Sequence, residues 1–150
     1  MKLLATGLTA ACLLTGCAVS GTPTAAPAGQ EWRQAVFEAV AGLGAQLGPI
    51  GAEMANPDRT TNYTALHSAC NDMRDYVDTM QHRVLPGPDI QINEALQGGI
   101  DGFREMADHC AELTPANSST RLRRLAAAMD DADTHLKDAI RMLNAAVPQE

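Results

Sequence analysis

The sequence predicts an all-α protein: an antiparallel up-down four-helix bundle with one inter-helix disulfide, preceded by a signal peptide and a flexible tether. Apolar residues recur three or four positions apart in four segments, which is the spacing of one face of an α-helix. Proline and glycine interrupt this pattern between the segments, and no window shows the strict alternation of a strand. Four amphipathic segments with short connections favour a bundle whose neighbouring helices run in opposite directions.

The first two predicted helices follow from their apolar faces. The first face contains Trp32, Val36, Val40, Leu43 and Leu47. Pro49 leaves open whether this helix continues with a kink or a new segment begins there, and Asn56-Pro57 ends it in either case. The second face contains Tyr63, Leu66, Cys70, Met73, Val77, Met80 and Val84. The prolines at positions 86 and 88 end the second helix.

The third and fourth helices have the same alternation of three and four steps. The third face contains Ile92, Leu96, Phe103, Met106, Cys110 and Leu113, with Gly99 at the position between Leu96 and Phe103. Thr114-Pro115 stops this helix, and the following Asn117, Ser118 and Ser119 are all good N-cap residues. The fourth face contains Leu122, Leu125, Met129, Ala132, Leu136, Ala139 and Leu143.

Residues 1–16 have the features of an export signal. Lys2 precedes an apolar run from Leu3 to Leu14, and about 12 residues are too few for a membrane-spanning helix, which needs roughly 20. The segment Leu14-Thr15-Gly16-Cys17 resembles the lipobox of bacterial lipoproteins. This resemblance implies cleavage between Gly16 and Cys17, a diacylglyceryl group on the Cys17 sulfur, and a protein anchored by lipid to the extracytoplasmic face of the cell membrane. A plain secretory signal, cleaved near Ala18 or Ser20, is the alternative.

Residues 17–29 are predicted to form the lipidated cysteine and a tether, and residues 30–150 the folded domain. The segment AVSGTPTAAPAG at 18–29 is uncharged and too poor in large apolar residues to fold. A coil of this length has an end-to-end distance of roughly 20 Å and a maximum of about 40 Å. Alanine is abundant and arginine outnumbers lysine nine to two, a composition that resembles actinobacteria or their phages.

The formal net charge of −7 bears on the partners of the protein. An acidic surface is repelled by phosphate backbones and by anionic lipid head groups, so neither nucleic acid nor an anionic lipid surface is expected as a generic partner. The expected partners are the membrane, through Cys17, and an envelope protein whose identity the sequence does not reveal.

Each of the four cysteines has a predicted fate. Cys12 is removed with the signal peptide and Cys17 is lipidated, which leaves Cys70 and Cys110 to form a disulfide in an oxidising compartment. A loop of about 40 residues gives a stabilisation of roughly 4 kcal/mol in the chain-entropy model.

The position of the third helix decides whether this disulfide is possible. If the second helix ends at Val84 and the third begins at Ile90, the two cysteines are offset by roughly 9 Å along the axis. The disulfide therefore predicts a later start, near Asn93 to Ala95. With a start at Ile90, the helices must tilt or slide, or the bond must be absent.

Metal binding is the weaker interpretation of several residues, and no cofactor is expected. His67 and His109 lie near the two cysteines, but neighbours such as His109 and Cys110 diverge by about 100° on a helix and do not face one ion. Thioether ligands favour Cu(I), yet methionines on an apolar face are more often packing residues. The methionines concerned are Met73, Met80, Met106 and Met129.

Three further groups have two interpretations each. Gly98, Gly99 and Gly102 indicate either close packing of another helix or a groove for a partner. The acidic stripe is interpreted as a solvated face, with a site for a hard cation or a basic partner as the weaker alternative; it contains Asp101, Glu105, Asp108 and Glu112. The basic cluster either pairs with that stripe or marks a contact surface; it contains Arg121, Arg123 and Arg124.

No catalytic motif is present in the sequence, so no catalytic residue is named and an enzyme is not expected. The prediction is a surface-displayed protein-interaction module. One alternative is a carrier of an apolar ligand or a metal within the bundle. Another, by analogy alone, is a phage-type lipoprotein that acts in immunity against superinfection.

Overall fold

A computed structural model describes residues 29–55 and 61–146. The predicted signal peptide, Cys17 and the tether as far as Ala28 lie outside the described residues. Within the described ranges the chain forms four helices and no strand: α1 (Gln30–Met54), α2 (Tyr63–Val84), α3 (Ile90–Ala111) and α4 (Ser118–Ala145). The predicted all-α bundle is confirmed.

Helix α1 is continuous through Pro49, which settles the choice that the sequence left open. It ends at Met54, ahead of Asn56-Pro57 as predicted. Val36 and Leu43 are buried, but Val40 and Leu47 from the same predicted face are only partly buried. One edge of the apolar face of α1 is therefore not covered by the other helices.

Side-chain caps fix where α2 and α3 begin. The side-chain carbonyl of Asn62 accepts a hydrogen bond from the backbone N–H of Ala65 at 3.2 Å. The Asp89 carboxylate accepts from Gln91 and Ile92 at 2.8 and 3.0 Å. Such caps satisfy donors that have no partner within the helix.

Helices α1 and α2 are antiparallel and are held together by two side-chain hydrogen bonds to helix carbonyls. The Trp32 indole N–H donates to the carbonyl of Val84, and the Tyr76 hydroxyl donates to that of Ala39, both at 2.7 Å. Gly42 makes room for the tyrosine, because a Cβ atom there would lie 1.9 Å from the Tyr76 hydroxyl.

The disulfide between Cys70 and Cys110 joins α2 to α3, with 5.7 Å between the Cα atoms. The predicted later start of α3 is wrong, since the helix begins at Ile90. Contacts between α2 and α3 keep one register: Gln81 with Gln97 at one end, and His67 with Leu113 at the other. Their residue numbers add up to 178 and 180, whereas helix ends level at Val84 and Ile90 would add up to 174, so α3 has slid along α2.

Because of this displacement, the first turns of α3 extend beyond the C-terminal end of α2. At that end the connection between the two helices forms hydrogen bonds with α3. Asn93 accepts a hydrogen bond from the Gly87 N–H at 2.7 Å and donates one to the Gly87 carbonyl at 2.9 Å. The connection therefore supplies hydrogen-bond partners to the first turns of α3. This is why α3 can begin at Ile90 while Cys110 still lies level with Cys70.

Helices α3 and α4 are the most closely packed pair. A Cβ atom on Gly99 would lie 2.4 Å from Leu136, and one on Gly102 would lie 2.7 Å from the Cβ and 3.0 Å from the Cα of Ala132. Gly98 faces the His135 ring at the same interface. These glycines therefore serve close packing and not a groove.

Close packing also corrects the predicted face of α4. Met129 is 43% exposed and Leu122 is 37% exposed, whereas Ala128 is buried. A small residue is needed where the α4 backbone approaches the glycines of α3. The core face therefore passes through Ala128 and Ala132, and Met129 turns to the surface.

Candidate functional site

A cleft of about 540 Å³ lies between α1 and α4. In a closed four-helix bundle the first and last helices pack together, but here α1 rests on α2, α4 rests on α3, and the two barely touch. The apolar residues that line the cleft are Val40, Leu43, Leu47, Phe103, Leu136 and Ile140. Phe103, the lining residue contributed by α3, is only 5% exposed.

The wall of the cleft that α1 forms contains a glycine and no charged residue. Gly44 lines the cleft, and a Cβ atom at this position would have nothing within 4 Å. No charged residue occurs between Glu38 and Glu53. Packing within this chain therefore does not require glycine at position 44, in contrast to Gly99 and Gly102 of α3.

The polar residues of the cleft belong to α4. Asp133, Lys137, Arg141 and Asn144 form its rim at helical spacing. The carboxylate of Asp133 hydrogen-bonds Lys137 and raises the pKa of that lysine. Arg141 pairs with Asp138, which does not line the cleft, at 2.7 Å, and its side chain is 76% exposed. The cleft thus has one charged wall and one uncharged wall.

This arrangement is suited to binding. The apolar side chains offer van der Waals contact, and the backbone N–H groups of both walls are bonded within their helices. An extended peptide would find no free backbone donor there. An occupant without hydrogen-bonding groups along its length does not incur the free-energy cost of burying unpaired polar groups.

The sequence-predicted site residues have different outcomes. Cys70 and Cys110 are brought together, and both are fully buried in the core. Gly16 and Cys17 lie outside the described residues, so cleavage and lipidation stay predictions.

The histidines and methionines occupy structural positions. A nitrogen of His67 hydrogen-bonds the carbonyl of Leu113 at 2.8 Å, and His109 lies 3.4 Å from Glu105 and 3.3 Å from Arg121. In residues 29–55 and 61–146 no three His, Cys, Asp or Glu side chains form a group that could hold a metal. Met73, Met80 and Met106 are core residues.

Several charged residues of α3 and α4 are ion-paired. Asp101 bonds Arg104, Asp108 pairs with Arg74, and Arg121 pairs with Glu112. The first residue of the basic cluster therefore joins the acidic stripe, one of the two options that the sequence left open. Exposed pairs of this kind contribute at most about 1 kcal/mol each.

The cleft itself was not foreseen from the sequence. A signal was present in α1, where glycine occurs at positions 42, 44, 48 and 51 and charged residues are absent across the same stretch. Of these, Gly44, Gly48 and Gly51 have open space where a Cβ atom would be. A helix with an uncharged, weakly buried face indicates a surface that the chain itself does not cover.

Helix α1 is also the one described helix that is long and apolar enough to cross a membrane, and 22% of its apolar stretch is buried. Comparison of the chain with protein-family models, with curated proteins and with solved structures finds no match.

Proposed function

We propose that this protein is a lipid-anchored binding module of the cell envelope, displayed on the extracytoplasmic face of the membrane, and that it acts by binding and not by catalysis. The lipobox-like segment at Leu14–Cys17 supports the anchor. The observation that carries the binding role is the cleft between α1 and α4, an apolar concavity between two helices that barely touch.

The disulfide supports placement outside the cytoplasm. Cys70 and Cys110 are the two cysteines that remain after the proposed signal peptide and lipidated residue are set aside. Structural disulfides persist in oxidising compartments and are rare in reducing ones. A buried disulfide in the core therefore fits an exported protein.

Of the two classes of occupant, a protein partner and an apolar ligand, the cleft favours the ligand. Eleven residues line it, whereas a stable protein interface engages about 20 to 30 residues a side. Its volume of about 540 Å³ lies within the roughly 300–1,000 Å³ of small-molecule sites. An envelope protein that binds a larger face remains the second candidate function.

The anchor is tested by membrane fractionation of Cys17→Ala. Cys12→Ala is the matched control, because it makes the same substitution within the apolar signal segment. We expect the parent and Cys12→Ala to stay with the membrane pellet after a high-salt wash, and Cys17→Ala to leave it. The intact mass of the parent should equal residues 17–150 plus acyl chains.

Helix α1 supplies the competing explanation for membrane retention. If α1 crosses the membrane, Cys17→Ala still pellets after the salt wash, and the lipid-anchor proposal is wrong. An unacylated mass for the parent would lead to the same conclusion.

A further inference from the structure

We propose that the α1–α4 cleft holds one acyl chain of an anionic lipid taken from the membrane, with the head group at Arg141. This inference rests on the proposed anchoring of the chain to a membrane, because it uses that membrane as the source of the ligand. It goes further by naming the chemistry of the occupant and its orientation.

The shape of the cleft fits a chain-like ligand. On α4 it extends from Asp133 to Asn144, which corresponds to about 16 Å of helix. Apolar side chains line the cleft from both walls, and the polar groups are confined to the α4 rim. A hydrocarbon chain has no donor or acceptor to satisfy, so it can lie against Phe103 and Leu136 without leaving a buried polar group unpaired.

Both basic residues of the rim are ion-paired, Lys137 with Asp133 and Arg141 with Asp138, so the orientation rests on free hydrogen-bond donors and not on net charge. Asp133 and Lys137 neutralise each other toward the far end, where the α1 wall ends at Leu47. Arg141 and Asn144 lie at the other end, and Arg141 uses one donor on Asp138, which does not line the cleft. A guanidinium has five donors, so this end retains capacity for a phosphate or carboxylate.

The same end of the cleft faces the proposed anchor. Helices α1 and α4 are antiparallel, so Arg141 and Asn144 lie toward the start of α1 at Gln30. Val40, the first α1 residue of the cleft, is about 15 Å along the helix from Gln30. The twelve residues between Cys17 and Gln30 could span at most about 40 Å. The cleft is therefore within reach of the lipid surface.

The test uses cis-parinaric acid, a single-chain carboxylate whose emission rises in apolar surroundings. The protein is the full chain with Cys17→Ala, which carries no lipid of its own. Gly44→Leu fills the cleft, and Gly51→Leu is its matched control. Both positions are exposed glycines of α1 with nothing within 4 Å of a Cβ atom, but Gly51 does not line the cleft.

We expect the Cys17→Ala chain to bind one probe molecule and Gly44→Leu to weaken this binding at least tenfold, whereas Gly51→Leu leaves it unchanged. Arg141→Gln should weaken binding of the acid about fivefold, the value of one exposed charge contact, and leave binding of the methyl ester of the probe unchanged. Equal effects of Gly44→Leu and Gly51→Leu, or no binding by the Cys17→Ala chain, would overturn the proposal.

The source of the lipid is tested with the acylated parent purified from membranes. We expect native mass spectrometry to show a phospholipid bound without a covalent link, and Gly44→Leu to lose it. If the parent holds no phospholipid and still rejects the probe while the Cys17→Ala chain accepts it, the acyl group on Cys17 occupies the cleft, and the proposed membrane source is wrong. Fractionation of Cys17→Ala reports separately on the anchor, so failure of the cleft and failure of the anchor are distinguishable.

Discussion

Toward α3, helix α4 lies so close that Gly99 and Gly102 have no room for a Cβ atom, whereas toward α1 it leaves a cleft in which a Cβ atom on Gly44 would meet nothing. Glycine is unfavourable in both helices by up to about 1 kcal/mol relative to alanine. In α3 that cost is offset by close helix packing. At Gly44 no contact with the residues that the structure describes offsets it, which indicates that this exposed side of α1 serves something other than the fold.

The largest expected effect concerns the closed half of the bundle, where the disulfide ties α2 to α3. Replacing both cysteines, Cys70→Ser with Cys110→Ser, should lower the free energy of unfolding by about 4 kcal/mol, because it removes a cross-link that closes a loop of 40 residues. Urea denaturation measures this loss. Each single replacement should cost about as much as the pair, and additive losses would contradict the assignment of the bond.

Gly102→Ala tests the tight seam between α3 and α4. The new methyl group would lie 2.7 Å from the Cβ and 3.0 Å from the Cα of Ala132, so the helices must separate. We expect a loss of about 1 to 3 kcal/mol in unfolding free energy, in the range of other overpacked cores. A neutral or stabilising effect would show that the interface between α3 and α4 can accommodate a methyl group.

Tyr76→Phe tests whether α1 is held by α2. The substitution removes the hydrogen bond to the Ala39 carbonyl and should cost about 1 kcal/mol. Tyr63→Phe, at the only other tyrosine, is the control. A loss that is equal in the two variants would argue against a specific role of the Tyr76 hydroxyl.

The same residue gives a pH dependence. Burial raises the pKa of Tyr76 above its ordinary value of 10.0. The neutral hydroxyl therefore contributes stability that is fully present below pH 10 and is lost as the pH rises through the raised pKa. Unfolding free energy measured from pH 9 upward should decline less steeply in Tyr76→Phe than in the parent, and identical slopes would contradict this assignment.

The smallest expected effect, and the one of opposite sign, is that of Gly44→Ala. The methyl group meets no atom within 4 Å, so the helix gains propensity without a clash. We expect the unfolding free energy to rise by about 0.5 to 1 kcal/mol. Gly42→Ala, two residues away, is the matched contrast, since its Cβ atom would strike the Tyr76 hydroxyl and should destabilise the protein.

The sequence was sufficient for the helices because they depend on local spacing, and for the disulfide because Cys70 and Cys110 remain once Cys12 and Cys17 are assigned. The residues predicted for the faces of α2 and α3, including Cys70 and Cys110, lie in the core or against it, but the buried Ala95, Ile100 and Ala107 of α3 were not predicted. The face of α4 was less certain: steps of three and four make Ala128 and Met129 nearly equivalent. The choice between them depends on how closely α3 approaches, and that is a property of two helices together.

The cleft was not predictable for a related reason. Val40 and Leu47 have the spacing of core residues, and nothing in α1 alone states that α4 stays away from them. Likewise, the predicted start of α3 was too late. The first turns of α3 are supported by hydrogen bonds between Asn93 and Gly87, and these join the helix to the preceding connection. Local patterns specify elements, and their mutual distances follow from packing.

The most direct test of the open cleft is the reactivity of a single thiol introduced at Ile140, which lines the cleft, beside one introduced at the adjacent Ala139, which is buried in the core. Both are made in the chain that also has Cys12→Ala and Cys17→Ala, with Cys70 and Cys110 oxidised. The account predicts that Ile140→Cys reacts with maleimide at least about tenfold faster than Ala139→Cys, because its side chain is accessible without unfolding. Equal protection of the two thiols would mean that α1 and α4 pack against each other in solution, which would contradict an open cleft between them.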